Sequence, residues 1–182
     1  MKLNQGSMKA IAMTLMTLMM VGCDKSDKPY LAAGPGAALS CASSGKNAWE
    51  TYGVNAFVAV NERIFTNVGA ELGASGTANL GGSFQGGAVV TPEFKGNLAA
   101  FLVYVYGGPY EITYTDNVKY YGPQDMTQKH TGLAITGAQY DYFVSNIVVP
   151  ALTVNGVPGG DVSSCFAPPL VDAAFKASVV GH

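Results

Sequence analysis

Two apolar segments with clear start and stop signals bracket the single interior histidine of this chain, and that layout constrains the fold most. The first runs from Thr91, Pro92 and Glu93 to Gly107, Gly108 and Pro109. Thr91 is a candidate N-cap, Pro92 suits the first helical position, and Glu93 favours the positive helix end. Phe94, Leu98, Phe101, Leu102 and Val105 fall on one stripe, and the glycine pair with proline ends it. The stretch Phe101–Tyr106 also reads as a strand by propensity; the stripe and the caps favour helix. The second segment starts at Thr136, where Thr136 and Gln139 match a capping box. Tyr140, Phe143, Val144, Ile147 and Ala151 share one face, Pro150 predicts a kink, and Gly156 and Pro158 end the segment. Between the two lies a short predicted turn, 123–129, that delivers His130.

Other segments follow the same logic. Phe57, Val60, Ile64 and Val68 predict a helix over about 54–68, with Asn61, Glu62 and Arg63 between the apolar positions. Residues 71–90 hold many glycines and no periodicity, which predicts a long irregular connection. Residues 110–123 form an aromatic-rich loop with room for a hairpin. A last helix is expected over about 161–180, bent or split at Pro168 and Pro169.

The N-terminus has a different character. Lys2 and Lys9 precede the apolar run Ile11–Val21, which is shorter than the ~20 residues of a spanning helix. Met8 and Lys9 head the same pattern, so either methionine suits as the start. The ending Met19, Met20, Val21, Gly22, Cys23 resembles the lipobox of bacterial lipoproteins. That resemblance implies a signal peptide over 1–22, lipidation of Cys23 and attachment to the membrane through that lipid. Asp24 resembles the residue that retains such proteins at the inner membrane, on the periplasmic side of the cell envelope. Residues 23–46, rich in Gly, Pro, Ala and Ser, read as a flexible tether, which leaves 47–182 as the folded domain. Cys41 and Cys165 then remain; in an oxidising compartment they pair, and otherwise they are two separate buried thiols.

Chemistry narrows quickly. A net charge of −2 over 182 residues gives no electrostatic footprint for nucleic acid. A Ser-His-Asp or Cys-His site would have to use His130, and the chain has no Gly-x-Ser-x-Gly elbow. A structural zinc site asks for four His or Cys ligands. One imidazole suffices to hold a haem iron, with apolar side chains around the macrocycle. Taken alone, His130 reads as a surface or capping histidine, and the aromatic stripes read as ordinary core.

The order of these elements is what resembles a family. The run Phe101–Tyr110 with its Gly-Gly-Pro, His130 ahead of Gly132 and Leu133, and the late Gly156-Val157-Pro158 together resemble the truncated haemoglobins, group 1, over about Trp49–Ala174. The resemblance implies an all-α fold, the two-over-two helical sandwich of a truncated globin around haem b. It makes His130 the proximal iron ligand. It places Phe65, Phe94, Asn97, Leu98, Phe101, Leu102, Met126, Ile135, Tyr140, Phe143 and Ile147 around the haem. Phe65 stands where the family often has a tyrosine, and Leu98 where it has a glutamine, which implies an apolar distal pocket. Only Gly53 remains of the glycine pair between the first two helices. The implied function is reversible binding of oxygen, nitric oxide or carbon monoxide outside the cytoplasm. The alternatives are a nitric oxide dioxygenase or peroxidase-like enzyme served by a periplasmic electron donor, and a haem-free structural lipoprotein.

Overall fold

The computed structural model describes residues 34–84 and 90–182. Cys23 and the expected signal peptide lie outside the described residues. The first long helix, α1 (Ala48–Ser75), begins at Asn47, whose side chain accepts from Glu50 N. It changes direction at Gly53, whose φ of 68° is strained for any residue with a Cβ. Gly53 separates a short first helix from the longer one that carries Phe57, Ile64, Phe65 and Val68. That helix continues to Ser75, past the expected end at 68 and into the segment expected to be irregular. Glu71 and Leu72 complete its last turns, and Gly76 ends it.

Helix α2 (Pro92–Val105) has the predicted caps, with the Thr91 side chain accepting from Phe94 N at 3.1 Å. Helix therefore prevails over strand at Phe101–Tyr106. A Cβ on Gly108 would lie 2.5 Å from the Val103 side chain and 2.8 Å from Trp49, so the chain leaves this helix through a gap only glycine fits. The aromatic loop is a hairpin, β1 (Glu111–Thr113) against β2 (Lys119–Tyr121), with Ile112 opposite Tyr120. Ile112, Tyr114 and Tyr120 turn inward and the hairpin packs on α2.

A five-residue helix, α3 (Met126–His130), follows. Helix α4 (residues 137–154) starts at the predicted capping box on Thr136. Pro150 does not break it. The turn ahead of that proline, Phe143–Val148, widens to a π-type turn. Proline cannot donate to the carbonyl one turn back and its ring crowds that carbonyl, so the helix accommodates it by widening. Helix α5 (residues 159–171) repeats the device, with a wide turn at Val162–Phe166 before Pro168 and Pro169. The expected split falls later, at Asp172, whose extended backbone caps the short α6 (Ala173–Ala177) through Phe175 N.

The largest departure from expectation is the tether. The folded unit takes in the described residues from Gly34 on, ahead of the boundary expected at 47. Residues Pro35–Ala38 form a 3₁₀ turn with Gly36 buried, and Cys41, 1% exposed, is bonded to Cys165. The disulfide and the packing of Gly34 and Gly36 against the end of α2 hold 34–46 on the domain. The described residues are thus mostly helical, with one two-stranded sheet. The core lies where α1, α2, α4 and α5 meet, around Phe57, Ile64, Val103, Ile147, Leu152 and Phe166. No helix among the described residues is long and apolar enough to cross a membrane.

Candidate functional site around the His130 turn

Asp125 starts the short helix α3 by accepting from Gln128 N at 3.0 Å. Its last residue, His130, is half-buried, and the ring Nδ1 lies 2.7 Å from Met126 O. A carbonyl only accepts, so Nδ1 carries the hydrogen, and in the neutral ring the lone pair is then on Nε2. Nε2 has no hydrogen-bond partner among the described residues. The chain then turns through Gly132 and Ala134, both at positive φ, and Leu133 N donates back to His130 O at 3.0 Å. The site thus offers one oriented imidazole with a free nitrogen, the form in which histidine binds metals. Among the described residues no cluster of three or more His, Cys, Asp or Glu side chains is placed to hold a metal ion.

The residues that the resemblance puts around a haem divide into two sets. Leu98, Phe101, Met126, Ile135 and Phe143 are half-buried, and Phe94 is 39% exposed. Leu133, beside His130, is 41% exposed. These apolar side chains lie on α2, on α3, in the turn after His130 and near the start of α4. Phe65, Leu102, Tyr140 and Ile147 are instead buried. Tyr140 donates its hydroxyl to Leu170 O at 2.7 Å, and Ile147 sits in the main core. Asn97 is half-buried on α2. Ring contacts pair Phe65 with Phe94 at 5.6 Å and bring Phe101 and Tyr140 together through Phe175, at 5.9 and 6.5 Å. Phe143 stacks on Phe84 at 5.7 Å. Apart from the bonds within its own turn, to Met126 O and from Leu133 N, no hydrogen bond or ring contact among the described residues joins His130 to this wall.

Sequence reasoning missed a polar network next to Phe65. Glu62 accepts from Lys95 Nζ and from the Tyr114 hydroxyl, each at 2.5 Å. Asn61, fully buried, donates to Tyr114 and to Lys95 O, each at 3.0 Å, and its own Oδ1 has no partner. Burial on its own raises the Glu62 carboxyl; the hydrogen bonds from Lys95 and Tyr114 outweigh it and hold the group below its usual range. Burial, then the bond to Glu62, pushes the Tyr114 phenol up. The Lys95 amine lies 5.5 Å from the centre of the Phe65 ring, so Glu62 holds a cation beside the expected distal side chain. A cleft of about 320 Å³ opens here, bordered by Glu62, Lys95, Tyr114 and Asp116. No local pattern in the sequence joins these residues, because Tyr114 is 52 residues from Glu62.

A second cluster was also out of sight. Asp161, 1% exposed, accepts from Ser43 N at 2.8 Å and from the Ser43 and Tyr52 hydroxyls at 2.5 Å. Those hydrogen bonds hold its carboxyl below the ordinary value, and burial, then Asp161, pushes Tyr52 up to about 12. The cluster lies next to the Cys41–Cys165 bridge and fastens 34–46 to α5. No protein-family model, no curated protein and no solved structure matches this chain.

Proposed function

We propose that this chain is a haem protein that binds diatomic gases through His130, built as a truncated globin of the two-over-two type. The observation that carries this reading is the imidazole itself. Its Nδ1 is committed to Met126 O, which in the neutral ring leaves the lone pair on Nε2, and the half-buried residue stands in the sequence between two capped apolar helices. One neutral imidazole is the ligand set that haem requires. Half-exposed Phe94, Leu98, Phe101, Leu133 and Phe143 leave apolar surface that a flat macrocycle would cover, Leu98, Phe101 and Phe143 from the edge of the core. Room for the macrocycle has to come from movement of these side chains. Neither the cleft of about 320 Å³ nor a cavity of about 20 Å³ beside Phe57 is lined by His130.

When bound, ferrous haem supplies the coordination position for oxygen, carbon monoxide or nitric oxide. The chain's own residues set how firmly a gas is held. Met126 O fixes the His130 ring and makes Nε2 a better donor to iron. Phe65, Phe94 and Leu98 carry no hydrogen-bond donor and the nearby Lys95 amine is held by Glu62, so oxygen bound against these side chains would forgo roughly 1–3 kcal/mol of hydrogen bonding. Carbon monoxide and nitric oxide depend on such a bond less. Oxygen therefore leaves faster here than from a pocket with a tyrosine at position 65. Nitric oxide dioxygenation and peroxidase-like chemistry need an external electron donor as well, and no observation favours them. The Cys41–Cys165 bridge supports the envelope location, because such bonds persist where the surroundings are oxidising.

Titrating haem into the purified domain tests the proposal. The parent protein takes up about one equivalent, and His130→Ala weakens retention by roughly 100-fold or more. Equal retention by the variant contradicts the assignment of His130.

A further inference from the structure

We propose that Gly181 and His182 are positioning residues: their main chain forms a strap that holds the His130 turn and keeps its imidazole oriented. This rests on the haem reading for its purpose, and on geometry alone for its existence. Helix α3 is five residues long and none of its residues is buried. A helix that short is not stable by itself, and here packing does not fix it. The segment after it is also weakly held by its own chemistry. Residues 131–134 are exposed, and Ala134 sits at φ 50°, a left-handed conformation that alanine adopts at a cost. Something outside the turn has to hold it.

Two main-chain hydrogen bonds do so. Ala134 N donates to His182 O at 2.7 Å, and Gly181 N donates to Ile135 O at 3.0 Å. They make a short antiparallel pairing between residues far apart in sequence. The strap is itself anchored. Val179 is buried, Val180 N donates to Lys176 O at 3.0 Å, and the His182 ring donates from Nε2 to Ala177 O at 2.9 Å. Gly181, at φ 84°, gives the strap the reversal that aims its N–H at Ile135. From Ala134 the path to the imidazole is short, because Leu133 N is bonded to His130 O. The strap thus fixes the far end of the turn, while Asp125 fixes the near end. Between them the His130 ring keeps its Nδ1 on Met126 O and presents Nε2. The loss of the strap frees the turn and lets the ring exchange tautomers.

The test uses the parent protein, a chain ending at Val180, Gly181→Pro and His182→Ala. Gly181→Pro removes one N–H and cannot adopt the positive φ. His182→Ala keeps both main-chain bonds. In haem-free protein at about pH 8, nitrogen NMR of the His130 ring reads the tautomer, and amide exchange reads Ala134. The parent and His182→Ala show the Nδ1–H tautomer and a protected Ala134 amide. The shortened chain and Gly181→Pro gain the Nε2–H tautomer, and the shortened chain exchanges Ala134 at least about fivefold faster, the factor carried by one hydrogen bond of ~1 kcal/mol. With haem bound, the same two variants shift the iron–histidine stretching band and lose haem about fivefold faster. An unchanged tautomer and unchanged Ala134 exchange in the shortened chain overturn the strap. A parent protein that takes up no haem overturns the haem reading instead, and the tautomer still decides the strap.

Discussion

The part of the molecule around Cys165 and the part around His130 are built on opposite terms. Around Cys165, Phe166 packs against Tyr106, Tyr52 and Phe57 with ring centres 5.1, 5.5 and 6.0 Å apart, and Tyr106 donates its hydroxyl to Phe166 O. A disulfide and the Asp161–Ser43–Tyr52 cluster close this region off. Around His130, helix α3 buries nothing, the apolar side chains are half-exposed, and the chain is held by main-chain bonds to the strap. The first region has finished its packing and supplies rigidity. The second leaves apolar side chains part-exposed and the His130 Nε2 without a hydrogen-bond partner among the described residues, which is what the proposed haem site would use.

That contrast sets the order of the expected effects on stability. Replacing both Cys41 and Cys165 by serine is the largest. A bridge spanning 124 residues is worth roughly 4–5 kcal/mol in the chain-entropy model, and urea denaturation with and without reductant measures it. Next, Phe166→Ala costs about 3–5 kcal/mol, because the side chain is 4% exposed. Phe143→Ala, on the half-exposed wall, costs about 1–2 kcal/mol by the same assay. Equal costs for the two phenylalanines would erase the distinction between the regions.

The smallest effect is on pH dependence. The Asp161 carboxyl is held below its ordinary value, so its contribution is full above about pH 3.9 and is lost as pH falls through the lower folded value. Tyr52 is pushed up to about 12, so its contribution is full below about pH 10 and is lost as pH rises to that folded value. Urea midpoints against pH follow both limbs. Asp161→Asn flattens the acid limb, and Tyr52→Phe flattens the alkaline one.

The sequence carried the local structure better than the long-range contacts. The caps at Thr91 and Thr136 were legible because a cap is written within four residues. The break at Gly53 was not legible from local pattern, because a single glycine is tolerated inside a helix and only its φ of 68° shows the change of direction. The residues 34–46 were misread because glycine, proline and alanine look like a tether whether or not the chain packs; Cys41 was the one signal to the contrary. The wide turns before Pro150 and Pro168 were hidden because a proline fixes what must be accommodated and not how. The Glu62–Lys95–Tyr114 network, the Asp161 cluster and the strap join residues across loops, and no local pattern records such pairs. For the candidate site, His130 and its short helix were readable. The division of the surrounding residues into a half-exposed wall and a buried set needed the three-dimensional packing.

The most direct test of the account is an absorption spectrum of the purified domain, supplied with haem, reduced and exposed to carbon monoxide. The account predicts an intense, sharp ferrous-carbonyl Soret band that His130→Ala abolishes or shifts. A spectrum identical to that of free haem added to buffer would contradict it.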